Sequence, residues 1–105
     1  MIIAITSKNE EIFQYFDKNT EIILFEIENN MIKDKKIISI NLEKYSEFDN
    51  FLALYNINIL ICGKIDGDKK NLLREKKIEI IPNVSGKVDE IIIKYLSGEK
   101  IGNIE

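Results

Sequence analysis

Two stretches of this chain hold residue types that chemistry can use, and each follows an apolar run. Ser7 and Lys8 come directly after Ile2-Ile3-Ala4-Ile5-Thr6, and Cys62-Gly63-Lys64-Ile65-Asp66-Gly67 closes the run that begins at Ile57. A third loop, Asn83-Val84-Ser85-Gly86, follows Ile78–Ile81 and Pro82. Gly63 and Gly67 would let backbone amides approach a ligand at a helix N-terminus, where the dipole favours negative charge. The pattern matches neither the Walker A loop nor GxGxxG, and Asp66 and Asp68 put negative charge in the same place. The competing reading is a pair of tight turns with Asp66 as an ordinary helix cap. Cys62 stands where Lys64 and a following helix dipole would stabilise a thiolate; the alternative is a small core hydrophobe. Phe16-Asp17-Lys18 reads as a lip beside these loops, or else Phe16 closes the core and residues 17–20 form a turn.

Several chemistries are excluded by what the sequence lacks. It contains no histidine, which removes His-based acid/base catalysis, Cys-His dyads and His metal sites. One cysteine cannot make a tetrahedral zinc site or an intramolecular disulfide. A hard-metal nuclease would need a carboxylate on the opening strand, and residues 2–6 offer none. No catalytic residue is therefore assigned. The formal charge of −3, with Lys and Asp/Glu interleaved, argues against nucleic acid or an anionic membrane as partner. Arg74 is the one arginine among 15 basic residues, so bidentate phosphate reading has little to work with.

The elements that must position these residues follow from periodicity. Ile2 to Thr6 reads as a strand buried on both faces. Ser7 with Glu10 makes a capping-box pattern, and Ile12, Phe13 and Phe16 share a face, predicting a short helix over 8–16. Residues 22–28 and 31–42 read as a hairpin turning at Asn29-Asn30, with the charged Lys33-Asp34-Lys35-Lys36 at a sheet edge. Ser46 and Asp49 repeat the capping pattern before an amphipathic helix carrying Phe48, Phe51, Leu52 and Tyr55. A strand over 57–62, a helix from Asp66 to about Lys76 and a strand over 78–81 follow. Ser85-Gly86 opens a last helix with Val88, Ile91, Ile92, Tyr95 and Leu96 on one face, and Gly98 stands at its left-handed C′ position. Alternating strand and helix implies right-handed crossovers and a three-layer α/β domain. With the first strand central, the five-stranded mixed sheet takes the order 3-2-1-4-5 with strand 2 antiparallel, as in ribonuclease-H-like folds. The loops after strands 1 and 4 then meet at the switch point, where open α/β sheets bind ligands.

A chain of 105 residues with 45% apolar content suits one domain, expected over 1–98, with 99–105 as a tail. The lone thiol suits a reducing cytoplasm, and no apolar run approaches the ~20 residues needed to span a bilayer. A monomer or weak homodimer is expected.

Together these segments resemble the dinitrogenase iron-molybdenum cofactor biosynthesis family, which includes NifX, NafY and the C-terminal domain of NifB. The resemblance rests on Ile2-Ile3-Ala4-Ile5-Thr6-Ser7, Phe16, Ile59-Leu60-Ile61-Cys62-Gly63-Lys64-Ile65, Leu73, Ile78, Ser85-Gly86-Lys87-Val88-Asp89-Glu90 and Leu96-Ser97-Gly98. It implies a nitrogenase accessory factor-like fold and a non-enzymatic domain that binds or carries iron-sulfur or iron-molybdenum cluster precursors, with metal-cluster biosynthesis proteins as partners. The ligand site it implies comprises Ser7, Phe16, Lys18, Cys62, Gly63, Lys64, Gly67, Ser85 and Gly86, with Cys62 as the metal ligand. An interaction or regulatory module on the same fold, without metal, is the alternative. The chain departs from the family where Phe16-Asp17-Lys18 replaces Phe-Gly-Arg, and where Lys77 replaces a glycine before the last strand.

Overall fold

The computed structural model of the protein describes residues 1–15 and 20–102. Nine elements follow in order: β1 (Ile2–Lys8), β2 (Glu11–Ile12), β3 (Glu21–Glu28), β4 (Met31–Ser39), α1 (Tyr45–Tyr55), β5 (Ile59–Ile61), α2 (Gly67–Glu75), β6 (Glu79–Ile81) and α3 (Val88–Leu96). The strands form one mixed sheet with the path β4-β3-β1-β5-β6, and β2 pairs with β1 off that path. β3 runs antiparallel to both β1 and β4, whereas β5 runs parallel to β1 and β6.

Because side chains alternate along a strand, each sheet face builds its own core. Ile3 and Ile5 of β1 join Phe25, Ile61 and the α3 residues Val88, Ile91 and Ile92 on one face. Ala4 joins Leu24, Leu60 and the residues Phe48, Phe51, Leu52, Leu72 and Leu73 of α1 and α2 on the other. The result is three layers, with α3 on one side of the sheet and α1 and α2 on the other.

The helix expected over 8–16 does not form. Asn9 and Glu10 take left-handed φ values of 54° and 67°, and the chain reverses into a two-residue hairpin that pairs Ser7 with Ile12 and Lys8 with Glu11. The local capping signal loses to longer-range pairing, since Ser7 is committed to β1 and also faces Glu21 of β3. Because β3 occupies one side of Ser7, β2 lies on the other, continuing the line of β5 beyond its last residue. The sheet therefore has six strands rather than five.

Other boundaries shift by a few residues. α1 begins at Tyr45 behind Lys44, with no side-chain cap, so Ser46 lies inside the helix rather than before it. α3 likewise begins behind Lys87 rather than at Ser85-Gly86. Asn29 and Asn30 make the hairpin turn with φ values of 53° and 61°. The end of α3 is a complete Schellman motif, in which the Gly98 N–H donates to Tyr95 and the Glu99 N–H to Lys94. Beyond it Ile101 is buried against the α3-side core, and residues 103–105 lie outside the described residues. No helix among the described residues is long and apolar enough to cross a membrane.

Candidate functional site

The parallel register of Ile3 with Ile59 and Ile5 with Ile61 brings the ends of β1 and β5 to the same sheet edge. The loop after β6 opens there too, because β6 is parallel to β5. The three loops are tied together by backbone bonds. Cys62 N–H donates to Ile81 (3.1 Å), Val84 N–H to Cys62 (3.0 Å) and Asn83 N–H to Gly63 (2.8 Å). The β1–β2 hairpin adds Ile12 N–H to Gly86 (2.8 Å) and Val88 N–H to Glu10 (2.9 Å), which anchors it to the start of α3.

From β2 the chain crosses this edge as a short strap, Phe13 to Tyr15. Phe13 N–H donates to the Thr6 carbonyl (3.1 Å), and Lys64 N–H donates to the Gln14 carbonyl (3.1 Å). The Gln14 side-chain amide donates in turn to the Val84 carbonyl (3.3 Å). Gly63 permits this approach: a Cβ there would stand 2.7 Å from the Gln14 Cα and 2.9 Å from the Phe13 carbonyl oxygen. Gly63 is not in the left-handed region, so close approach rather than backbone torsion is what calls for glycine. Gly67, by contrast, has open space around it.

The strap carries two aromatic rings, each beneath a cation. Lys8 Nζ lies 4.9 Å from the Phe13 ring centroid and Lys64 Nζ 5.9 Å from that of Tyr15. The two rings meet edge to face at 6.0 Å. An exposed cationic and aromatic rim therefore borders the switch point, a combination that attracts anions while keeping an apolar contact surface.

Beneath the rim Ser7, Cys62 and Gly63 are buried, whereas Gly67, Ser85 and Gly86 are exposed. Ser7 is enclosed, and its hydroxyl donates at 3.5 Å to the Glu21 carbonyl, so it faces β3 rather than capping a helix. Cys62 is fully buried, and burial pushes its thiol up to about 12 against a small opposing pull from the Lys70 ammonium, which keeps it protonated at neutral pH. Thr6 is also fully buried, and its hydroxyl has no hydrogen-bond partner among the described residues. Asp66 caps α2 by accepting from the Lys69 N–H at 2.9 Å. Partial burial pushes its carboxyl up, but the Lys69 ammonium and the Lys69 and Asp68 amides outweigh that and hold it below the usual carboxylate range.

The expected site is thus partly gathered. Cys62, Gly63, Lys64, Ser85 and Gly86 lie on the interlocked loops; Gly67 opens α2; Phe16 and Lys18 lie outside the described residues. Sequence reasoning named Lys8 beside Ser7 but missed Phe13, Gln14 and Tyr15, because it placed them in a helix; the αL-tolerant Asn9 was the available sign of a turn. No group of three or more metal-ligating side chains occurs among the described residues. A metal cluster held by several protein ligands does not fit this donor set.

Residues 1–98 match the family described as "Dinitrogenase iron-molybdenum cofactor". No curated protein matches the chain. Among solved structures, the chain is similar to the PH0822 protein with a TM-score of 0.85 at 18% identity, covering 96% of this chain and 94% of that one. It is similar to the MJ0327 protein of Methanocaldococcus jannaschii, named as a candidate dinitrogenase, with a TM-score of 0.78 at 26% identity over 100% and 95% of the two chains. It also resembles TM1290 of Thermotoga, named as a candidate NifB protein, with a TM-score of 0.75 at 14% identity over 96% and 91%.

Proposed function

Because the chain belongs to the dinitrogenase iron-molybdenum cofactor family, we propose that it is a non-enzymatic, cytoplasmic accessory domain that binds or carries an anionic metal-sulfur precursor for cluster-building proteins. The precursor is cargo rather than a resident group. The ribonuclease-H-like class belongs to this proposal, and the sheet path with β1 at its centre supports it.

The observation that carries the reading is the rim of Lys8, Lys64, Phe13 and Tyr15 beside the interlocked loops. With too few side-chain ligands for a chelated cluster, the domain holds its cargo from outside. Ammonium groups offset the anion's charge, amides of the Gly63-Lys64 and Ser85-Gly86 loops donate to its outer atoms once the Gln14 carbonyl releases the Lys64 N–H, and aromatic faces exclude water. Ser7 and Gly67 sit at the borders of that cradle. Cys62 is the one soft donor on these loops, and it ligates metal only after giving up a proton that burial holds tightly.

Anaerobic incubation with ferrous iron and sulfide, followed by gel filtration, tests this. The protein peak should carry visible absorbance and iron, reduced in Lys64→Gln and further reduced in Cys62→Ala. A colourless wild-type peak overturns the reading. The second reading, an interaction module that binds no metal, is favoured by one observation: Gln14 already fills the crevice where the loops meet.

A further inference from the structure

We propose that the Phe13–Tyr15 strap is a built-in occupant of the switch-point crevice, with Gln14 standing where a ligand's hydrogen-bonding atoms would sit, and that it swings out as a local unit to admit cargo. The identity of the cargo rests on the function proposed above; the motion does not.

The Gln14 peptide carbonyl accepts the Lys64 N–H, the first amide after Gly63. Its side-chain amide meets the Val84 carbonyl, 70 residues away in sequence. One residue thus serves both walls of the crevice, as an anion with acceptor atoms would serve the Lys64 wall. Glycine at 63 leaves room for the Gln14 backbone, whose Cα a Cβ there would meet at 2.7 Å.

The strap is held by hydrogen bonds and ring contacts rather than by core packing, since none of its residues belongs to either apolar cluster. Ile12 before it is buried and bound to Gly86, and the hairpin behind it is paired with β1 and with Lys87. The strap itself has the Phe13–Thr6, Lys64–Gln14 and Gln14–Val84 hydrogen bonds and a longer one, 3.4 Å, from the Thr20 hydroxyl to the Tyr15 carbonyl, and Tyr15 is 58% exposed. Segments with few buried apolar contacts open at low free energy without disturbing the core. Opening here hinges between Ile12 and Phe13 and frees the Lys64 N–H, the Thr6 carbonyl and the Val84 carbonyl together.

Amide hydrogen exchange followed by NMR on the full chain tests the strap. Phe13 and Lys64 amides should exchange at least tenfold faster, relative to their intrinsic rates, than the Cys62 and Val84 amides behind them, with little dependence on low urea. Gln14→Ala should speed Lys64 exchange severalfold and leave Cys62 exchange unchanged. Gly63→Ala should speed it more, because the added Cβ meets backbone. If Gly63→Ala fails to fold, Gln14→Ala carries the test. Equal protection of Lys64 and Cys62 in the wild type overturns the proposal, as does a folded Gln14→Ala protein with unaltered Lys64 exchange. Local exchange without a chromophore after iron and sulfide treatment would sink the cargo reading alone, whereas a chromophore without local exchange would sink the strap alone.

Discussion

Replacing Thr6 with valine should make this protein more stable. Thr6 lies in the central strand, is fully buried, and has a hydroxyl with no hydrogen-bond partner among the described residues. A buried polar group left unpaired costs about 1–3 kcal/mol in proteins. Valine keeps the branched shape, which suits a strand, and puts a methyl where the hydroxyl stood. The expected gain is about 1–2 kcal/mol, since the lower part of that range allows for slight crowding by the larger methyl. In a domain of this size each kcal/mol raises the melting temperature by roughly 4–8 °C. Urea unfolding should show a higher midpoint with an unchanged slope. Thr6→Ser, which keeps the hydroxyl and loses the methyl, should move the other way by about 1 kcal/mol. An unchanged or lower midpoint for Thr6→Val would refute the reasoning, because it would mean that the hydroxyl has a partner worth keeping.

Two further outcomes are expected. Lys77 ends α2 in the left-handed conformation, φ 60°, within a Schellman motif completed by the Lys77 and Ile78 amides bonding to Arg74 and Leu73. Lys77→Gly should therefore raise stability by about 0.5–1 kcal/mol in the same urea assay, after allowing for glycine's greater freedom in the unfolded chain. Cys62 keeps its proton in the folded protein up to about pH 12, whereas an unfolded thiol loses it near pH 9. The unfolded state then binds fewer protons above pH 9, so this thiol's contribution is complete below pH 9 and falls by about 1.4 kcal/mol per pH unit above it. The difference in stability between wild type and Cys62→Ala, measured from pH 8 to 10.5, should shrink accordingly.

The parts of the fold that were legible in the sequence are those where a local pattern and the distant packing agree. Ile2–Thr6 and Ile57–Cys62 read as strands from their apolar content because both sheet faces are covered, but the polar residue after Thr6 did not mark the end of β1, which runs on to Lys8, and β5 is only Ile59–Ile61. Asn29-Asn30 and Gly98 each occupy a backbone conformation that their residue types favour, so the hairpin and the end of α3 could be read directly. The stretch after Ser7 was misread because its strongest local signal, Ser7 with Glu10, belongs to helix starts. What decides its structure is pairing with β1 and with the loop before α3, which no short window contains. Gln14 was invisible for the same reason: its partners, Gly63, Lys64 and Val84, are far along the chain. Lys77 shows the converse, since the glycine expected there from related chains marks a torsion that this chain adopts without it.

The central position of β1 has a bearing on synthesis. Its antiparallel neighbour β3 follows closely in sequence, but Ile2 reaches Asn58 only across 56 residues. While the chain is being made, β1, β3 and β4 can therefore assemble into a half-sheet before β5 exists. The lysines of β4 guard one margin of that intermediate, and the other margin is Ile3-Ala4-Ile5 with its backbone unpaired. Slowing translation between Ser39 and Ile59 would prolong the exposure of this margin, and the nascent chain would be at its most adhesive there.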